Sequence, residues 1–162
     1  MSQAHLHLII NHLPIMGAML GALVLIYGLF KKSEDTQAAA YGVLLIAALG
    51  AGVAYFTGEP AEEAIEDLPG IVKASIEQHE EFAMLGLLSM ILLGLLACIG
   101  LYFIYKKSSL TFRFAKVVMI VCVIAFGLIG WTAYLGGKIR HTEFSSAQEK
   151  ILMKTERESD QD

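Results

Sequence analysis

The sequence predicts an all-α fold, an antiparallel four-helix bundle integral to a membrane. Four long apolar runs, a charged fraction of only 17% and short polar connections point there together. A soluble domain carries nearer ~25% charged residues. The 162 residues are 56% hydrophobic, with a mean hydropathy of +0.59. That length allows one domain. A net charge of -4 offers no basic surface to nucleic acid, so the lipid bilayer is the expected partner. Cys98 and Cys122 both lie inside apolar runs, form no CxxC, and read as small packing residues. No basic stretch precedes the first apolar run, and Lys31-Lys32 follows it instead. No cleavable signal peptide is therefore expected.

The apolar runs cover about residues 6–30, 38–57, 82–105 and 114–137. Each is close to the ~20 residues that a helix needs to cross a bilayer core. Without water there, each must be helical to satisfy its own backbone. Gly17, Gly21, Gly42, Gly50, Gly86 and Gly94 are spaced for close helix contact. Residues 1–141 thus form one four-span domain, and the polar tail 142–162 is expected to be mobile or weakly interfacial. Lys31, Lys32, Lys106, Lys107 and Arg113 fall in the first and third connections, and only Lys73 in the second. This bias places both termini outside, in the periplasm of a bacterium, with the chain in the cytoplasmic (inner) membrane.

The second connection, 58–81, carries its own pattern. Pro60 suits the first turn of a helix, with Glu62 and Glu63 close behind. Leu68-Pro69-Gly70 breaks that helix, and Ile71 to Glu81 reads as a helix feeding the third span, with Lys73 and Glu77 paired at i,i+4.

An internal repeat runs through the chain. Tyr27-Gly-Leu-Phe-Lys-Lys-Ser-Glu-Asp-Thr36 recurs in the second half as Tyr102-Phe-Ile-Tyr-Lys-Lys-Ser-Ser-Leu-Thr111. Ala54-Tyr-Phe-Thr-Gly58 recurs, at nearly the same interval, as Ala133-Tyr-Leu-Gly-Gly137. Two duplicated helical hairpins are predicted. On this alignment His5 matches His79 within one residue, and Glu62 matches His141.

All five histidines map to one side of the membrane. Neutral imidazole is the commonest metal ligand. Oxygen donors surround it on the 59–67 arm and at Glu77, Glu80 and Glu81. Mixed His and carboxylate donors suit a divalent Zn, Fe or Cu ion, and two axial histidines equally suit haem b. The expected ligand set is His5, His12, His79 and His141 with Glu62, Glu63 and Glu80. His7 reads as a polar interfacial cap, and Asn11 as the N-cap of a helix starting near Pro14. Gly136-Gly137 allows a sharp turn that would aim Arg140 and His141 back over the bundle.

His7-Leu-Ile-Ile-Asn-His12-Leu-Pro-Ile15 resembles the opening H-P-M-L-V-H-F-P-I motif of a bacterial membrane-protein family called domain of unknown function 2231. Thr57-Gly58, His79 and Gly136-Gly137-Lys-Ile-Arg-His141 are similar to that family's later motifs, although Leu8 stands where its first motif has proline. The resemblance implies a four-helix integral membrane fold, in a family with some members joined to redox modules.

Three functions compete: a redox or metal-binding accessory of a respiratory or other redox membrane system, a metal-dependent membrane enzyme, and a structural or assembly subunit without cofactor. No HExxH or similar catalytic signature supports the enzyme. Polar residues are nearly absent from the span centres, which speaks against a transporter.

Overall fold

The computed structural model describes residues 3–66, 71 and 73–159, with side chains described between His5 and Ile139. Among the described residues all regular structure is helical: α1 (Gln3–Ile10), α2 (His12–Lys31), α3 (Glu34–Phe56), α4 (Gly58–Glu63), α5 (Lys73–Tyr105) and α6 (Thr111–Ser159). Four stretches are long and apolar enough to cross a membrane: His5–Lys31, Glu34–Phe56, Lys73–Tyr105 and Thr111–Ile139. The chain is a multi-pass membrane protein built as an all-α four-helix bundle.

The four long helices close into a ring. α2 packs on α3 and α6, and α5 packs on the same two. The outward faces are apolar; Phe30 is 82% exposed, Leu49 73% and Ile120 62%. Lipid tails, not water, suit such faces. The inward faces are small. Ala18, Ala40, Ala47, Ala97, Ala115 and Ala125 are fully buried. Small side chains let backbones approach closely, which is how helices gain packing energy inside lipid. A Cβ at Gly17 would lie 2.6 Å from the Ala47 Cβ, and one at Gly100 would lie 2.5 Å from the Tyr41 ring.

The repeat is visible at the two turns that close the hairpins. Lys32 and Lys107, which the repeat aligns, both hold positive φ, at 50° and 51°. The next N–H reaches back five residues in each case: Ser33 to the Gly28 carbonyl and Ser108 to the Phe103 carbonyl, both at 3.0 Å. This left-handed residue with its long back-bond is the Schellman way of ending a helix. Ser33 Oγ then accepts the Thr36 N–H, and Ser108 Oγ the Leu110 N–H. Lys31 lies over the Tyr27 ring and Lys106 over the Tyr102 ring, at 5.8 and 5.9 Å.

At the opposite end the chain is less regular. α1 stops at Ile10 and α2 starts at His12. Pro14 explains the break, because its ring crowds the Ile10 carbonyl and it has no N–H to offer it. α1 and α4 pack together there, over the mouth of the bundle.

Two local expectations change. Lys73 pairs with Glu66 at 3.6 Å, not with Glu77. Gly136-Gly137 makes no turn, because α6 passes straight through it. The polar tail continues α6 as helix to Ser159; Glu143, Glu149, Lys150, Lys154 and Glu156 are good helix formers.

Candidate cofactor site

Beneath α1 and α4 lie two adjoining cavities, of about 600 and about 320 Å³. His7, Asn11, Glu62 and His79 line both, so they form the wall between two lobes. The larger lobe reaches Met84, Leu87 and Ile129 in the spans. The smaller reaches Ala61, Ile65 and Ile76 under the rim.

His79 stands on α5, and its Nδ1 lies 3.0 Å from the Thr132 carbonyl oxygen of α6. A carbonyl only accepts, so Nδ1 carries the proton and Nε2 keeps its lone pair. His7 reaches the same state by another route. Its Nδ1 lies 3.2 Å from the Thr57 hydroxyl. That hydroxyl donates its one proton to the Val53 or Ala54 carbonyl, at 3.1 and 3.0 Å, so it accepts from His7. The two rings come from different hairpins and are close enough to interact electrostatically. An oxygen acceptor on one imidazole nitrogen is the arrangement that orients a metal-ligating histidine and raises its basicity.

The carboxylates form the second feature. Glu62 on α4 and Glu80 on α5 line the same cavity. Burial first, then the neighbouring Glu80 carboxylate, then the charges of Glu59 and Glu66 push the Glu62 carboxyl from 4.5 up to about 8. Asn11 is the third. It precedes α2 as expected, yet its side chain makes no capping bond. Its Oδ1 is instead buried without a hydrogen-bond partner.

The structure therefore brings His79, Glu62 and Glu80 to the cavity and adds His7 and Asn11. His12 is exposed, touches the smaller lobe only, and donates from Nδ1 to the Leu8 carbonyl at 2.7 Å. His5 and Glu63 are exposed and line neither lobe. The Pro14 break shifts the register of α1, so His7 meets His79 where the repeat pairs it with His5. The His141 side chain lies outside the described residues. Among the described residues no three His, Cys, Asp or Glu form a ready group for a metal ion.

Sequence reasoning misses Thr132 as the anchor of His79 and takes His7 for a cap. One signal is available. Thr57 and Thr132 are separated by the same interval that relates Lys32 to Lys107 at the two hairpin turns. Both bond their hydroxyls back to the carbonyl four residues earlier. Gly136 reads in sequence as a turn, but its missing Cβ makes room for His79, whose Cε1 would lie 3.0 Å away from one. In comparisons with known proteins no family model matches this chain, and no curated protein or solved structure matches it either.

Proposed function

We propose that this membrane protein holds a metal ion or haem at one rim, ligated through the Nε2 atoms of His7 and His79, with a redox role if the group is haem, Fe or Cu. One observation carries the reading: two histidines from separate hairpins each have Nδ1 tied to an oxygen and Nε2 left as a donor beside a shared cavity. Two imidazoles suit the axial positions of haem b. The larger lobe, of about 600 Å³, is apolar at Ile15, Leu87 and Ile129, but Glu59, Glu62, Glu80 and Glu81 on its wall favour a cation over the propionates of haem. A non-haem Zn, Fe or Cu ion would recruit Glu62 and Glu80 as well, with His5, His12, His141 and Glu63 as the wider donor set on that side.

The Lys and Arg bias of the connections supports a bacterial cytoplasmic membrane with this rim on the periplasmic side. The resemblance to domain of unknown function 2231 supports the same placement. Respiratory or other redox membrane proteins are the partners that such a site would serve.

Purification in detergent, followed by a visible spectrum and elemental analysis, tests the reading. A Soret band selects haem b. Stoichiometric Zn, Fe or Cu without that band selects the ion. Neither signal would leave a structural or assembly subunit.

A further inference from the structure

The end of the bundle opposite the cavity carries a charge asymmetry that the repeat makes visible. The two hairpin turns share one backbone, with Lys32 and Lys107 at positive φ and with Lys31 and Lys106 over tyrosine rings. Their charges differ. The first turn follows Lys31 and Lys32 with Glu34 and Asp35, so its charges cancel. In the second turn Ser109 and Leu110 stand at the matching positions. Arg113 and Lys116 are added where the first hairpin has Ala38 and Tyr41. Residues 106–116 thus hold four cations and no carboxylate. All four cationic residues are exposed, and among the described residues no ion pair joins any of them to a carboxylate. The orientation of the spans accounts for cations in both connections but is indifferent to acids, so it leaves this difference unexplained.

The surroundings fit one kind of anion. Phe103 and Phe114 pack edge to face with centroids 5.0 Å apart, which pins the end of α5 to the start of α6. Arg113 and Lys116 lie one turn apart on α6, and the exposed Val117 and Ile120 continue the same face along the span. Cations at the end of a span, with an apolar face running away from them, match a headgroup above acyl chains. A free anion would use the cations alone. We propose that the α5–α6 turn binds an anionic phospholipid, with its phosphate on Lys107, Arg113 and Lys116 and its chains along Val117 and Ile120. Clusters of four or more Lys and Arg beside a membrane span attract such lipids. The first turn has the same backbone and does not select them, because Glu34 and Asp35 offset its lysines. The site is remote from the histidines and stands without the cofactor reading.

The experiment titrates the full chain in detergent with phosphatidylglycerol and with phosphatidylcholine of the same acyl chains, and counts bound lipids by native mass spectrometry. The unaltered protein is expected to hold phosphatidylglycerol about tenfold or more tightly than phosphatidylcholine. Two double variants then separate the turns. Lys107→Asn with Arg113→Gln should remove most of that preference, and Lys32→Asn with Lys31→Gln should keep it. Asparagine is chosen at Lys32 and Lys107 because it accepts the left-handed backbone there. Inorganic phosphate, added against chloride at matched ionic strength, should not displace the lipid. Equal binding of the two lipids by the unaltered protein overturns the proposal without recourse to any variant. Equal loss of preference in the two double variants overturns it too, because the selection would then follow total charge and not the second turn. Displacement by inorganic phosphate reassigns the cations to a free anion and overturns the lipid.

Discussion

The His79 imidazole lies over Gly136 so closely that a Cβ there would stand 3.0 Å from its Cε1 and 3.4 Å from its Nδ1. The glycine is part of the site because it leaves that volume to the ring. Gly137, one residue on, has nothing within 4 Å of such a Cβ. Gly136→Leu is expected to push His79 away from the Thr132 carbonyl and to lower cofactor affinity by about 10–100-fold, the usual cost of losing an orienting partner. Gly137→Ala should keep the cofactor and raise stability by up to about 1 kcal/mol through helix propensity. Cofactor-to-protein ratio and thermal midpoint read both. Equal loss in the two variants would mean that general helix disturbance, and not the ring's position, is being measured.

The two histidines are held by different acceptors, one a side chain and one a backbone carbonyl. Thr57→Val removes the hydroxyl under His7 and keeps the shape. Cofactor affinity should fall by about 10–100-fold. Thr132→Val leaves the Thr132 carbonyl in place, so it should cost far less. Titration of cofactor into the apo-protein distinguishes them, and the reverse order of effects would refute the assigned tautomers.

The Glu62–Glu80 pair gives the cofactor-free protein a pH signature. Glu62 is raised from 4.5 to about 8 by burial and by its carboxylate neighbours, so the fold favours its protonated form. A raised pKa contributes stability that is fully present below about 4.5 and is lost as pH rises through about 8. The thermal midpoint in detergent should therefore fall between pH 5 and pH 9. Glu62→Gln, neutral throughout, should flatten that fall. An undiminished slope in the variant would assign it to other groups.

Much of the bundle is legible in the sequence because apolar runs are long-range signals. Four runs of bilayer length admit only helices, and the structure has four spans there. Their ends are harder to read, because helices continue past the apolar stretch when the polar residues are good helix formers, as α6 does to Ser159. The paired turns are legible too, since Lys-Lys-Ser recurs with the same chemistry in the same order. The site is legible only in part. Which histidine faces the cavity depends on the phase of α1, and Pro14 resets that phase. No pattern of residue types separates His7 from His5 without knowing the break. Gly136 is ambiguous for a different reason: a glycine read in sequence shows a freedom, whereas in the fold it supplies an absence of volume.

Packing inside the bundle offers an independent test. Gly17→Ala would place a methyl group 2.6 Å from the Ala47 Cβ, between two helix backbones that cannot yield as a flexible side chain would. Overpacking of this kind costs about 1–3 kcal/mol. Gly42→Ala meets nothing within 4 Å and should be tolerated. Thermal midpoints of the two variants, measured in one detergent, decide whether α2 and α3 approach as closely as described.

The most direct measurement is the cofactor content of His7→Ala and His79→Ala beside His12→Ala, each purified as a folded, monodisperse protein. Visible spectrum and metal analysis are taken on the same samples. The proposed site predicts that the unaltered protein and His12→Ala carry the cofactor in equal amount and that either of the other two variants loses it. Full retention in both His7→Ala and His79→Ala, with unchanged spectra, would contradict a site built on this pair.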